Sequence, residues 1–125
     1  MSEKSRSPHP DALPNFQTAE IPRQKLINYS LDPLHKEGQH KALVFKAALD
    51  FDQSNWEELA RAIRAELPYY PAVTGSEGIW GKKYEVILPI TGKNERTVNV
   101  LTVWIIRLET NFPTFVTALV VGERK

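Results

Sequence analysis

Two hydrophobic periods divide the chain. Up to about Leu67 the apolar positions recur with helical spacing, and after Pro71 they alternate with the period of a strand. Pro22 suits the first turn of a short helix reaching about Ser30, with Leu26, Ile27 and Tyr29 partly buried. Leu31-Asp32-Pro33 ends it, because the residue before a proline avoids the helical region. Leu34 to Gly38 then reads as a loop carrying His35, Lys36 and Glu37. A second helix is predicted from about Gln39 to Leu49, with Leu43, Val44, Ala47 and Ala48 on its apolar stripe. Ser54 reads as the N-cap of a third, with Glu57 completing a capping box. That helix runs from about Asn55 to Leu67 on a face of Trp56, Leu59, Ala60, Ile63 and Leu67, and Pro68 stops it.

Four strands follow: Ala72 to Thr74, Lys82 to Ile90, Arg96 to Arg107 and Thr114 to Val121. Thr91-Gly92-Lys93-Asn94-Glu95 reads as a hairpin loop, and Glu109 to Pro113 as the last connection. Helices first and a meander afterwards give an α+β domain, with N-terminal helices packed on one face of a four-stranded antiparallel sheet. Residues 1–13 are Ser, Pro and charge without apolar period and read as a disordered tail. Residues 14–125 form the single domain.

A hairpin closed at that loop pairs Leu88 with Val98, Val86 with Val100, Tyr84 with Thr102 and Lys82 with Trp104. One sheet face then gathers Lys82, Tyr84, Thr102 and Trp104 near one end, a floor suited to a phosphate and a stacked base. The same aromatics also suit a core with satisfied polar tips. The other face carries Ile87, Leu101, Val103 and Ile105, which suits packing against helices.

Composition narrows the chemistry. Among 125 residues there is no Cys, which removes disulfides, iron–sulfur clusters and thiolate zinc sites. No apolar run approaches the roughly 20 residues of a membrane span, and no secretory signal is visible, so a cytoplasmic place without membrane partners is expected. The net charge of +1 opposes a strongly electrostatic nucleic-acid binder. Its distribution is less neutral. Two basic stretches, Ile21 to Lys46 and Ser76 to Arg107, flank an acidic helix and could share one face, or they could be scattered on a solvated surface.

His40 and Lys41 stand side by side at the start of the second helix. An imidazole can move a proton near neutral pH, and an ammonium can hold a phosphate or stabilise developing negative charge. A solvated pair at a helix start has the same appearance. His9, His35 and His40 have no spacing or carboxylate partner that suggests a metal site, so no metal and no cofactor is expected. No phosphate-binding glycine loop and no serine nucleophile elbow occurs.

Ile21-Pro22, Lys25-Leu26, Tyr29 to Pro33, His40-Lys41, Phe45, Leu49, Tyr84-Glu85-Val86, Leu88-Pro89, Thr91-Gly92 and Thr102 with Trp104 to Ile106 form a recognisable set. Over about Leu13 to Val121 the chain resembles an uncharacterised bacterial domain family, found alone or at the C-termini of polymorphic toxins. The order of elements is also similar to the barnase–EndoU–colicin–RelE class of small metal-independent RNases. That likeness implies RNA cleavage by a helical His or Lys with polar strand residues around the scissile phosphate. The chain departs from that pattern in its low net charge and in lacking an evident Glu/His pair.

The resulting expectation is a metal-independent endoribonuclease-like toxin domain. His40 is its general acid or base, Lys41 or Lys82 stabilises the phosphorane, Tyr84 and Thr102 orient the phosphate, and Trp104 contributes to binding. RNA and a small cognate antitoxin or immunity protein are the implied partners. The alternative is a non-catalytic interaction or nucleic-acid-binding module, including one member of a toxin–antitoxin pair.

Overall fold

A computed structural model describes residues 6–123. The helical elements are α1, Arg23–Lys25, which continues as a π-helical turn Leu26–Ser30, then α2, Gln39–Leu49, and α3, Trp56–Glu66. The strands are β1, Ala72–Gly78, β2, Gly81–Thr91, β3, Thr97–Arg107, and β4, Thr114–Glu123. They form one antiparallel sheet in the order β1-β2-β3-β4. This is the expected α+β architecture, with the helices on one sheet face.

Alternation within the strands decides which face they cover. Val86, Leu88 and Ile90 of β2, and Val98, Val100, Thr102 and Trp104 of β3, are buried toward the helices. Leu59 and Ile63 of α3 and Phe45 and Leu49 of α2 close the core from the other side. Thr102 and Trp104 therefore lie on the helix-covered face, and Ile87, Leu101 and Val103 on the open one, the reverse of the expected assignment. The register also differs. Leu88 pairs with Val100, Val86 with Thr102, Tyr84 with Trp104 and Lys82 with Ile106, two residues from the expected alignment. A two-residue slip keeps every side chain on its face. It arises because Thr91 pairs with Thr97 through their hydroxyls, 2.7 Å apart, leaving residues 92–96 as the loop.

That loop docks on the C-terminal end of α2. The Lys93 amide donates to the Leu49 carbonyl at 3.0 Å, and the Asn94 side chain donates to the Ala48 carbonyl at 3.0 Å. Gly92 is required there, since a Cβ would come within 2.2 Å of the Leu49 carbonyl oxygen.

α2 spans the residues expected of it, but its phase differs. Ala42, Phe45 and Leu49 are buried, whereas Leu43 and Val44 are 59% and 43% exposed. Residues 42–45 and 47–49 are nearly all apolar, so their pattern does not choose a face. Phe45, the largest of them, takes the core and carries Ala42 and Leu49 with it at i−3 and i+4. The cap of the following helical run is Asp52, not Ser54. Its carboxylate accepts from the Ser54 amide, while the Asn55 side chain accepts from the Asp52 amide at 2.8 Å.

The expected tail also docks within the described residues, while 1–5 lie outside them. The His9 amide donates to the Pro68 carbonyl, the Asp11 carbonyl accepts from Ala72, and Leu13 is fully buried. Glu20 then bridges Thr114 on the β4 edge. Leu13, the last residue of that expected tail, belongs to the core.

Candidate functional site

Lys82, Tyr84, Thr102 and Trp104 share the helix-covered side of the sheet, with Tyr84 paired to Trp104, while His40 and Lys41 stand at the start of α2. Thr102 is buried, and its hydroxyl donates to the Val86 carbonyl at 2.8 Å while accepting from the Trp104 indole N–H at 2.8 Å. Trp104 is fully buried against Phe115, ring centroids 5.5 Å apart and near perpendicular. Both residues thus spend their polar groups inside the core. Tyr84 is half-buried on β2, with the Lys82 ammonium 5.7 Å from its ring centroid. His40 is exposed and its side chain makes no hydrogen bond. Lys41, one residue on, turns to Tyr29: its ammonium donates to the phenol oxygen at 2.8 Å and lies 4.5 Å from the ring centroid.

Tyr29 opens onto a cleft of about 490 Å³ lined by Gln24, Lys25, Tyr29, His35, Glu37, Val116 and Thr117. Local sequence builds it. The π turn, in which the Leu31 amide reaches the Leu26 carbonyl at 2.8 Å, is anchored by those two buried leucines. Asp32 caps the next bend by accepting from the Leu34 amide at 2.9 Å. His35 follows, its ring edge-on to Tyr29 with centroids 4.8 Å apart. Gly38 lets the start of α2 approach, since a Cβ there would meet the Tyr29 carbonyl oxygen at 2.2 Å. On the far wall β4 carries an irregularity: Thr117 pairs with Val103 but Phe115 with Trp104, so Val116 is an extra residue. The Thr117 hydroxyl lies 3.3 Å from that of Ser30, joining strand to π turn.

Backbone contacts orient His35. Its Nδ1 accepts from the amides of Glu37 and Gly38 at 2.9 and 3.0 Å. Both bonds need the Nδ1 lone pair, so the hydrogen-bond network assigns the ring proton to Nε2. In that tautomer the imidazole is a hydrogen-bond donor. Lys25 adds a cation and Glu37 the carboxylate of the cleft wall. Donors outnumber acceptors, which suits an anion such as a phosphodiester. Among the described residues no group of three or more His, Cys, Asp and Glu side chains converges as a metal site would.

A second polar network lies at the other end of α2. Hydrogen bonds that the Lys46 ammonium donates to Asp50 and then to Asp52 hold it above its usual pKa. The Ser54 hydroxyl and then Lys46 hold the Asp52 carboxyl below the usual carboxylate value. This network ties the end of α2 to the following turn.

Sequence reasoning thus found Lys41 but missed Tyr29, His35 and Glu37. Their signal was present: a histidine followed at two and three residues by Glu37 and Gly38, in the loop between Pro33 and α2. That spacing also places a Glu/His pair on one cleft, where none had been evident.

A family model described as a domain of unknown function, DUF6883, matches residues 12–122. No curated protein and no solved structure matches the chain. No helix among the described residues is long and apolar enough to cross a membrane.

Proposed function

The chain belongs to the DUF6883 family, whose function is unknown, and on that premise we propose that it is a metal-independent RNA-cleaving domain acting in the Tyr29–His35 cleft. One contact carries the reading: the Lys41 ammonium on the Tyr29 hydroxyl, at the border of a cleft that also holds His35 and Glu37. An ammonium at that point supplies the counter-charge for a phenolate, so Tyr29 is placed to give up its proton.

The step balances with these groups alone. Glu37 takes the proton of an RNA 2′-hydroxyl as its oxygen bonds to phosphorus. The P–O5′ bond breaks and Tyr29 protonates the leaving oxygen. The His35 Nε2–H and the Lys25 ammonium donate to the non-bridging oxygens, which gain charge in the phosphorane. The products are a 2′,3′-cyclic phosphate and a 5′-hydroxyl, and water returns the proton from Glu37 to Tyr29. Compared with the scheme expected from sequence, proton transfer moves from His40 to Tyr29 and Glu37. The phosphate-holding role moves from Tyr84 and Thr102 to His35 and Lys25.

Such a domain is toxin-like in the cytoplasm, where RNA meets it, and a small cognate antitoxin or immunity protein would act by covering the cleft. Expression in a bacterial host tests this through growth and RNA integrity. Wild type should arrest growth and degrade RNA, while Tyr29→Phe and Lys41→Ala should do neither. A harmless wild type that leaves RNA intact would overturn the proposal. The second reading, a non-catalytic RNA-binding module, draws on the same surplus of donors, which hold a phosphate whether or not it is cleaved.

A further inference from the structure

A second cavity, of about 710 Å³ against about 490 Å³ for the Tyr29–His35 cleft, opens between α1 with its π turn and α2. It shares no lining residue with that cleft. The two helical runs that form it are antiparallel. Gly38, at the start of α2, abuts Tyr29 near the end of the π turn, and the turn after α2 reaches back to Ile27 through Gln53. The cavity is therefore polarised along its length. Leu31, Pro33, Ala42 and Leu43 line one end, and Arg23, Lys46, Asp52 and Gln53 line the other. We propose that it binds a small aliphatic carboxylate of medium chain length, with the tail at the apolar end and the carboxylate on Arg23.

Hydrogen bonds fix the walls in advance. The π turn gives the Leu31 amide to Leu26, so the Ile27 carbonyl accepts from the Gln53 side chain, and that bond ties one wall to the other. Lys46 donates to Asp50 and Asp52 at 2.7 and 3.1 Å, and Asp52 also accepts from the Ser54 hydroxyl. Leu43 lines the opening at 59% exposure, an apolar side chain left in water that a tail would cover. Pairing of the charges selects the head group. Arg23, Lys46, Asp50 and Asp52 sum to zero, so no long-range field attracts or repels a ligand. Both carboxylates are taken up by Lys46, whereas Arg23 forms no ion pair among the described residues. Its guanidinium fork suits a carboxylate, while a cationic head would find only an Asp52 already engaged by Lys46 and Ser54. From Arg23 to Leu31 the wall runs roughly 12 Å at helical rise, which suits a medium-chain tail. The volume lies within the range of small-molecule sites, roughly 300–1,000 Å³. The inference does not depend on RNA cleavage.

Titration of the full chain with octanoate, octanol and octylammonium, followed by amide chemical shifts, tests it. Octanoate should shift Ile27, Leu43, Lys46 and Gln53 saturably and bind on the order of tenfold more tightly than octanol. Octylammonium should bind no better than octanol. Arg23→Gln, a change at an exposed residue, should remove the advantage of octanoate and leave octanol as it was. Leu43→Ser should weaken both. The comparison of three head groups on wild type decides the matter if a variant fails to fold. No saturable shift with octanoate at millimolar concentration would overturn the proposal, as would saturable shifts at the Tyr29–His35 cleft in place of this cavity. Octylammonium binding as tightly as octanoate, or an octanoate advantage that survives Arg23→Gln, would overturn it too.

Discussion

Replacing Thr102 by valine removes a single hydroxyl while keeping a β-branched shape, so no large cavity opens. Two bonds are lost in the fully buried core. The hydroxyl no longer donates to the Val86 carbonyl, worth about 1 kcal/mol net. The Trp104 N–H loses its acceptor where water cannot replace it, at about 1–3 kcal/mol. The expected destabilisation is about 3 kcal/mol, lowering the melting temperature by roughly 12 °C for a domain of this size. Urea unfolding followed by tryptophan fluorescence measures it. Adding Trp104→Phe removes the orphaned donor, so the double variant should lose about 1–2 kcal/mol less than the sum of the single ones. RNA cleavage per folded molecule should stay at the wild-type level. A Thr102→Val protein that loses less than about 0.5 kcal/mol and yet fails to cleave RNA would refute the reasoning, because the hydroxyl would then serve substrate and not the core.

Three further outcomes are expected. Leu13→Ala should cost about 2–5 kcal/mol in chemical denaturation, since Leu13 is fully buried; a loss under 1 kcal/mol would mean that residues up to 13 do not dock. The Asp52 carboxyl is held below its usual pKa by the Ser54 hydroxyl and Lys46. Its stabilisation is therefore present above pH 3.8 and lost as pH falls through the lowered value, and a melting series should show Asp52→Asn with a shallower acid decline than wild type. His40→Ala should leave both RNA cleavage and stability close to wild type, within about 0.5 kcal/mol for the latter; a hundredfold drop in rate would return the catalytic role to His40.

Much of the fold was legible because its signals are local. The change of period near Pro71, Pro68 at the end of α3 and the β-branched run from Val98 to Ile106 each specify an element without reference to the rest. Faces were not legible where both sides of an element are apolar. In β3, Leu101 and Val103 alternate with Val100 and Thr102, and nothing in the order of residues says which set meets the helices. The set with Thr102 and Trp104 is the one buried, and their mutual hydrogen bond satisfies both polar groups there. The site was hidden for a related reason. Lys41 drew notice through its neighbour His40, yet successive helical residues point in different directions, and Lys41 alone meets Tyr29. Tyr29 and His35 come together through a π turn and an Asx bend, neither of which a helical or strand period encodes.

The most direct test of the account is the chemistry of the RNA ends. The full chain is incubated with an RNA oligonucleotide in excess EDTA and the products are weighed by mass spectrometry. The account predicts fragments ending in 2′,3′-cyclic phosphate and beginning with 5′-hydroxyl, formed about 10²–10⁴-fold more slowly by Tyr29→Phe. Intact RNA at stoichiometric protein, or fragments carrying 5′-phosphate, would contradict it.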